Sequence, residues 1–290
     1  MRELVIDGRR IADDSQAWVC AEIGNNHGGS DTTARQMIRA AATCGVSACK
    51  LQARDNAPLY SEAMRALPYE HVHSFGATYG VHRDALELSD QGLVACRAQA
   101  QASQVTLCAT AFDEASADRV MRIGVPALKL ASGSLTDTPL LCYVRTLGVP
   151  LIVSTGASTM WDVDEAVNCL TARTSQIAVL HCTAAYPVFD YATLNLACIS
   201  TLRQRYPDFV IGWSGHVSGI AMALVAYSLG ARIIEQHFTL NRASKGTDHA
   251  FSLEPAGMRK LVRDLARAHE AMGDGIKRVY DCEREPIRKM

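Results

Sequence analysis

Short apolar runs, most of them rich in β-branched residues, alternate with longer segments of helical period from one end of the chain to the other. That alternation predicts a parallel sheet with crossover helices. Eight runs stand out, at residues 18–23, 48–52, 105–110, 127–130, 151–154, 177–181, 210–213 and 232–236. Eight strand–helix units predict an α/β fold closed into a (β/α)8 TIM barrel, a single domain over residues 1–290. Ser30 or Asp31 can cap a helix over 32–44, and Asp113 or Ser116 can cap one ending at Ile123. Gly124 and Gly230 supply helix stops. The connection between the second and third strands, roughly 53–88, is unusually long and carries Pro58, Pro68, three histidines and two glycines before a helix near 89–102. An insertion of that length on the strand-end side is a candidate substrate-covering loop.

Composition narrows the class of ligand. Hydrophobic residues make up 48% of 290 positions, enough for a large core, and the formal net charge is -1. No long run of like charge points to nucleic acid or an anionic membrane surface, so a small molecule is the expected partner. The N-terminal stretch lacks an uninterrupted apolar core of a signal peptide and no later stretch gives eighteen apolar residues, which predicts a cytoplasmic protein. None of the ten cysteines forms a C-x-x-C pair. Cys20, Cys49, Cys108 and Cys182 fall in or at the ends of apolar runs and read as small core residues in a reducing compartment. Cys182, beside His181, is expected to pack in the core rather than act as a nucleophile.

Chemistry gathers where the strands should end, the side on which barrel enzymes build their sites. Lys50 and Lys129 interrupt otherwise apolar strands. A lysine inside a covered sheet is costly unless its ammonium meets an anion, so each faces either an anionic ligand or a barrel carboxylate such as Glu22 or Glu235. Gln52 shares the face of Lys50 by alternation, and Ser132-Gly133-Ser134 and Ser154-Thr155-Gly156 follow the next strands with hydroxyls and glycine, a composition suited to phosphate. His216 and His237 end neighbouring strands and could share a metal ion, with Glu22, Glu235, Asp248 or water completing its sphere. For His27 and His181 hydrogen bonding is the expected role.

The segments AEIGNNHGG (21–29), CKLQ (49–52), HSFGATYGVHRDALELS (73–89), ALKLASGSLTDTPLL (127–141), STGAST (154–159), HCTAAYP (181–187), IGWSGHVSGIA (211–221), IIEQHFTL (233–240) and KGTDHAFSLEP (245–255) together resemble the sialic acid synthase family, closest to its animal-type branch. The resemblance implies an aldol-like condensation of phosphoenolpyruvate with an N-acylmannosamine-type aldose, or its phosphate, giving a 2-keto-3-deoxy sugar acid and inorganic phosphate. By position, Lys50, Lys129, Ser132, Ser154 and Ser214 match the family's phosphoenolpyruvate-binding residues, and His216 and His237 match the ligands of its divalent ion, Mn or Mg. Glu22 matches a sugar-binding and acid–base glutamate. Gln52, Tyr186, Glu235 and Asp248 match further substrate positions, Thr110 and Phe112 align with sugar-facing ones, and His73 lies near a sugar-binding asparagine. Ala184 and Gly215 depart from bacterial relatives, which often carry asparagine and aspartate there. The family is expected to form a homodimer in which a small antifreeze-like domain reaches the partner's sugar site; this sequence reads as the barrel without that domain. Other readings of the residues are a different metal-dependent barrel aldolase or isomerase, or a non-catalytic barrel binding a phosphorylated metabolite.

Overall fold

The computed structural model describes residues 2–174 and 176–289. An antiparallel hairpin opens it, β1 (Glu3–Ile6) and β2 (Arg9–Ala12), turned at Asp7 and Gly8 with φ of 52° and 73°. Two successive positive φ values suit the right-handed twist of a two-residue hairpin, and Asp-Gly is a dipeptide that accepts them. The eight expected runs become β3 (Trp18–Gly24), β4 (Ala48–Ala53), β5 (Thr106–Ala111), β6 (Leu128–Leu130), β7 (Leu151–Ser154), β8 (Ile177–Cys182), β9 (Val210–Gly215) and β10 (Ile233–His237). They pair in parallel in chain order, and β10 returns to β3 to close the barrel. The expected (β/α)8 TIM barrel is therefore present, with the hairpin as an addition to the eight strands read from the sequence.

The helix signals resolve in detail. Ser30 is the cap of Asp31–Thr43, its side chain accepting from the Thr33 amide, and Asp113 is the cap of Glu114–Arg122, accepting from Ser116. The long connection after β4 is not an irregular loop. It holds three short helices, Asn56–Leu59, Glu62–Ala66 and Tyr79–Asp84, each with its N-terminal amides capped by Asp55, Ser61 or Thr78. Helices this short escape a periodicity reading because they span barely more than one turn. Among the described residues no helix is long and apolar enough to cross a membrane.

Strand alternation sorts the barrel into two cores. On β3, Val19, Ala21 and Ile23 face the helices and join the large outer core, while Trp18 and Cys20 join a second cluster inside the barrel. That inner cluster takes Ile152, Leu180, Val210 and Ile233 from other strands, and the hairpin adds Leu4, Ile6 and Ile11. The hairpin thus plugs the end of the barrel where the strands begin. Its turn is tied in by the Thr106 hydroxyl, which donates to Asp7 Oδ2 at 3.0 Å. Beyond this apolar floor the inward positions become Glu22, Lys50, Lys129, Ser154, Ser214 and Glu235, all buried. Ile6→Ala should therefore cost about 2–5 kcal/mol of stability, the usual range for emptying a filled core position. Urea unfolding checks this, and a loss below about 1 kcal/mol would show that the hairpin is not part of the core.

Candidate active site

A cavity of about 510 Å³ opens above the polar layer, at the C-terminal ends of the strands. Apart from His73, the residues marked from the sequence as catalytic, substrate-binding or metal-binding lie in its wall: Glu22, Lys50, Gln52, Thr110, Phe112, Lys129, Ser132, Ser154, Tyr186, Ser214, His216, Glu235, His237 and Asp248. Parallel register explains the convergence. Glu22 sits opposite Lys50 and His237, Thr110 opposite Lys129, and Ser214 opposite Glu235, so these side chains come from paired positions near the ends of adjacent strands. The strand pairing shifts between Glu22 and Gly24, where Gly24 has φ of +53°, a bulge that turns the chain just beyond the glutamate.

Four charges meet at the base of the cavity. Lys50 Nζ lies 2.6 Å from Glu22 Oε2 and 3.7 Å from Glu235 Oε2, and Lys129 Nζ lies 3.4 Å from Glu235 Oε1. Their exposures of 1% (Glu22), 3% (Lys50), 3% (Lys129) and 5% (Glu235) make this a buried two-by-two network whose charges cancel. Hydroxyls and an amide complete it. Lys50 donates to Thr110 Oγ1 at 2.9 Å, Lys129 to Ser154 Oγ at 2.6 Å, Ser214 to Glu235 Oε1 at 2.9 Å, and Gln52 Nε2 to Glu22 Oε1 at 2.6 Å. Of the two settings read for the lysines, pairing with barrel carboxylates is thus the one seen in the protein alone.

The two carboxylates are not equivalent. Burial pushes the Glu22 carboxyl above its usual range, and Lys50 and Gln52 only partly offset that. Burial acts on Glu235 in the same direction, but Lys129, Lys50 and the Ser214 hydroxyl outweigh it and hold this carboxyl below the usual range. Burial likewise opposes the Lys50 ammonium, while Glu22 and Glu235 keep it firmly charged. Of the network, Glu22 is accordingly the member best able to take up and release a proton.

The histidines form a second cluster beside the charges. The rings of His216 and His237 stand 5.3 Å apart between centroids, with Tyr186 4.1 Å from His216 and Phe251 4.9 Å from His237. His216 Nδ1 is 2.9 Å from the Thr183 carbonyl. A carbonyl only accepts, so Nδ1 carries a hydrogen and donates it there, which leaves Nε2 as the nitrogen turned to the cavity cluster. Burial lowers the pKa of His237 and favours its neutral form. Its Nδ1 is buried without a hydrogen-bond partner among the described residues, 3.6 Å from Asp248 Oδ2. Two imidazoles side by side, one orphaned nitrogen and a carboxylate alongside fit a divalent ion. Glu22 and Glu235, offered by the sequence as completing ligands, are turned to the lysines instead. Among the described residues, no set of three or more His, Cys, Asp and Glu side chains is gathered as a metal cage.

Asp248 reaches this cluster through a loop that no local pattern reveals. After β10 the chain leaves the barrel and returns, so that the Leu253 amide donates to the His237 carbonyl at 2.8 Å and the Thr239 amide to the Leu253 carbonyl at 3.0 Å. Asn26, in the GNNHGG turn, clamps the loop by donating to the Phe238 carbonyl and to Ser252 Oγ.

Other expectations meet mixed outcomes. His181 Nε2 bonds the Leu194 carbonyl at 2.7 Å, and His27 Nδ1 accepts from the Gly29 amide at 3.0 Å, both hydrogen-bonding roles as expected. His73 is not in the cavity wall; its Nδ1 accepts from the Gly246 amide and ties the long connection to the loop after β10. Cys182 corrects the sequence reading. Strand parity turns it inward, where its Sγ lies 3.5 Å from Ser132 Oγ and 3.8 Å from His216 Nδ1, in the cavity wall and outside both apolar clusters. Gly215 has no room for an aspartate, since a Cβ there would come within 2.4 Å of both Gln236 Nε2 and the Trp213 ring. Asn25, Arg54 and Arg83 also line the cavity and were not marked from the sequence. Arg54 had a signal, lying two residues beyond Gln52 on the face shared with Lys50.

Comparison with known proteins agrees with this geometry. Residues 37–277 match the model of the NeuB family. N-acetylneuraminate-9-phosphate synthase of Mus musculus is 33% identical over 95% of this chain and 77% of its own length, and that of Drosophila melanogaster is 36% identical over 89% and 68%. The crystal structure of N-acetylneuraminic acid synthetase from Leptospira borgpetersenii, solved with citrate, superposes with a TM-score of 0.86 at 29% identity, covering 99% of this chain and 96% of that one. A match of that extent, on a closed barrel whose strand ends carry the motifs quoted above, makes this chain a synthase-type enzyme belonging to the NeuB family.

Proposed function

We propose that the enzyme condenses phosphoenolpyruvate with an aldose of the N-acylmannosamine type, or its phosphate, to give a 2-keto-3-deoxy sugar acid and inorganic phosphate. The observation that carries this reading is the convergence of two buried lysines, three serine hydroxyls and two histidines on one cavity. Phosphoenolpyruvate brings a carboxylate and a phosphate. Lys50 and Lys129, with Ser132, Ser154 and Ser214, offer two cations and several donors to meet them. The Gly156 amide, bonded at 3.0 Å to Ser132 Oγ, belongs to the same cradle. A Cβ on Gly156 would lie 2.8 Å from that hydroxyl, which restricts the position to glycine.

Charge balance gives Glu22 its part. The network is neutral without substrate, so an incoming trianion competes with the carboxylates for the lysines. Glu22, whose carboxyl burial already raises, takes up a proton most readily. In that form it stands ready to donate to the aldehyde oxygen as C3 of phosphoenolpyruvate bonds to the aldehyde carbon. Water then adds at C2, one of its protons returning to Glu22, and the tetrahedral centre collapses to the 2-keto group as the C2–O bond to phosphate breaks, the C2 hydroxyl proton leaving with the phosphate. Gln52, donating to Glu22, holds the carboxyl toward the substrate. Tyr186, Thr110 and Phe112 form walls against which the sugar packs, with Asp248 beside His237 accepting its hydroxyls. His216 and His237 would hold a divalent ion, Mn or Mg, whose bound charge polarises the aldehyde oxygen. The Thr183 carbonyl keeps His216 in the required tautomer.

Incubation with phosphoenolpyruvate, manganese and a panel of aldoses should release phosphate and yield a sugar acid detectable by mass spectrometry. No consumption of phosphoenolpyruvate with any aldose would defeat the reading. His237→Ala should lower turnover by at least about 100-fold, the scale of losing several kcal/mol of transition-state stabilisation, with an unchanged far-ultraviolet spectrum. Full activity in that variant, or in the wild type after chelation, would remove the metal. Lys129→Met should raise the KM for phosphoenolpyruvate by about 10–100-fold, the value of a charge-assisted hydrogen bond. An unchanged KM would mean that this lysine serves only the buried network.

A further inference from the structure

We propose that Cys142 and Cys169 are a redox-reactive pair on the outside of the barrel, which a hydroperoxide closes into a reversible disulfide that clamps two neighbouring helices. The proposal stands apart from the condensation, since neither sulfur lines the cavity. Cys142 lies in the last turn of the helix Thr138–Val144 and Cys169 in the last turn of the helix Met160–Thr171. Both residues are half-buried, and their sulfurs are 3.5 Å apart. They stand 27 positions apart in the chain, so no spacing motif announces them.

At that separation the two sulfurs touch. A disulfide bond is about 2.0 Å long, so closure asks each sulfur to move by less than about 1 Å, within reach of a small side-chain rotation. The helices are already held at the spacing this needs. Leu141 and Val144 of one and Ala166 and Leu170 of the other are buried in the outer core. Arg145, just beyond the first helix, donates from Nη1 to the Cys169 carbonyl at 2.8 Å and so ties the two ends together. Burial, and after it the hydrogen bond with Cys142, raises the Cys169 thiol above its ordinary range, and Arg145, its Nη1 3.7 Å from the sulfur, only partly opposes them. The pair therefore rests as two thiols until an oxidant arrives.

With hydrogen peroxide the chemistry balances. One thiol gives up its proton, its sulfur attacks a peroxide oxygen and the O–O bond breaks, which leaves a sulfenic acid and one water. The neighbouring sulfur then attacks the sulfenic sulfur, the S–O bond breaks, and the departing hydroxide takes the second thiol proton to leave as a second water. The two sulfurs lose two electrons and the peroxide gains them. The product joins helices that descend from the two turns of the phosphate cradle, Ser132–Ser134 and the turn that follows β7. Those turns already meet where the Gly156 amide donates to Ser132 Oγ at 3.0 Å. A bond between 142 and 169 fastens the same two units at their far ends and closes a covalent loop around β7, which restricts the unfolded chain and stabilises the folded one.

The test treats the folded, fully reduced protein with hydrogen peroxide in mildly alkaline buffer, removes the peroxide with catalase, blocks the remaining thiols with N-ethylmaleimide and maps a non-reduced digest by mass spectrometry. A peptide linking Cys142 to Cys169 should appear and should vanish on treatment with dithiothreitol. Exposed Cys282 reports within the same sample that the oxidant has acted. The thermal midpoint of the oxidised protein should exceed that of the reduced protein by about 3–8 °C, and dithiothreitol should reverse the rise. Cys142→Ser should show neither the linked peptide nor the rise, and Cys142→Ala takes its place if serine disturbs the fold. Oxidised Cys282 without the linked peptide would overturn the proposal, as would a link that forms only in urea-unfolded protein or one that joins Cys142 to a different cysteine. A correct link with an unchanged midpoint would overturn the clamp.

Discussion

Two ammonium groups and two carboxylates share the upper half of a barrel whose lower half is dry and apolar, and the rest of the site is arranged around keeping them there. Neither lysine could stay buried alone, because the desolvation of an unpaired charge exceeds what packing returns. Glu235 lies between the two lysines and Glu22 faces one of them. The same pairing sets the proton affinities apart, with Glu235 held below the usual carboxylate range by two cations and Glu22 pushed above it by burial. One set of atoms thus both neutralises the buried charges and makes the two carboxylates unlike each other.

Around it the barrel divides its work by height. The hairpin fills the base with Leu4, Ile6 and Ile11 and closes the barrel below the charges, which are reached from above. The ends of β9 and β10 bring His216 and His237 together at the next level, and the returning loop adds Asp248. The long connection after β4 builds the rim. Its short helices are cross-linked to one another through Asp84, Tyr79 and His82, and to the loop after β10 through His73 and Gly246. That makes the rim a wall of fixed shape.

Two local features of the site follow from packing and strand alternation. Trp213 and Gln236 occupy the space a side chain at 215 would need, so glycine there follows from the packing of β9 against β10. Cys182 faces inward because β8 keeps strict alternation, which places His181 outward against Leu194 and the thiol between Ser132 and His216.

The sequence by itself determined the barrel, because strand and helix periods are local properties and eight alternations of them leave few other closed arrangements. It also determined which side chains could line the site, since Lys50, Gln52, Lys129, Ser154, His216 and His237 stand out as polar residues at the ends of apolar runs, and the family resemblance added Thr110, Phe112, Tyr186 and Ser214. Only the tertiary structure decided who pairs with whom. The pairing of the two lysines with carboxylates and the approach of Asp248 to His237 depend on register between strands and on the return paths of loops. Those are set by closure of the whole barrel, and no window along the chain contains them. The hairpin belongs to both accounts: Asp7-Gly8 announces a turn locally, but that its apolar face seals the barrel is decided by a core assembled from seven other strands.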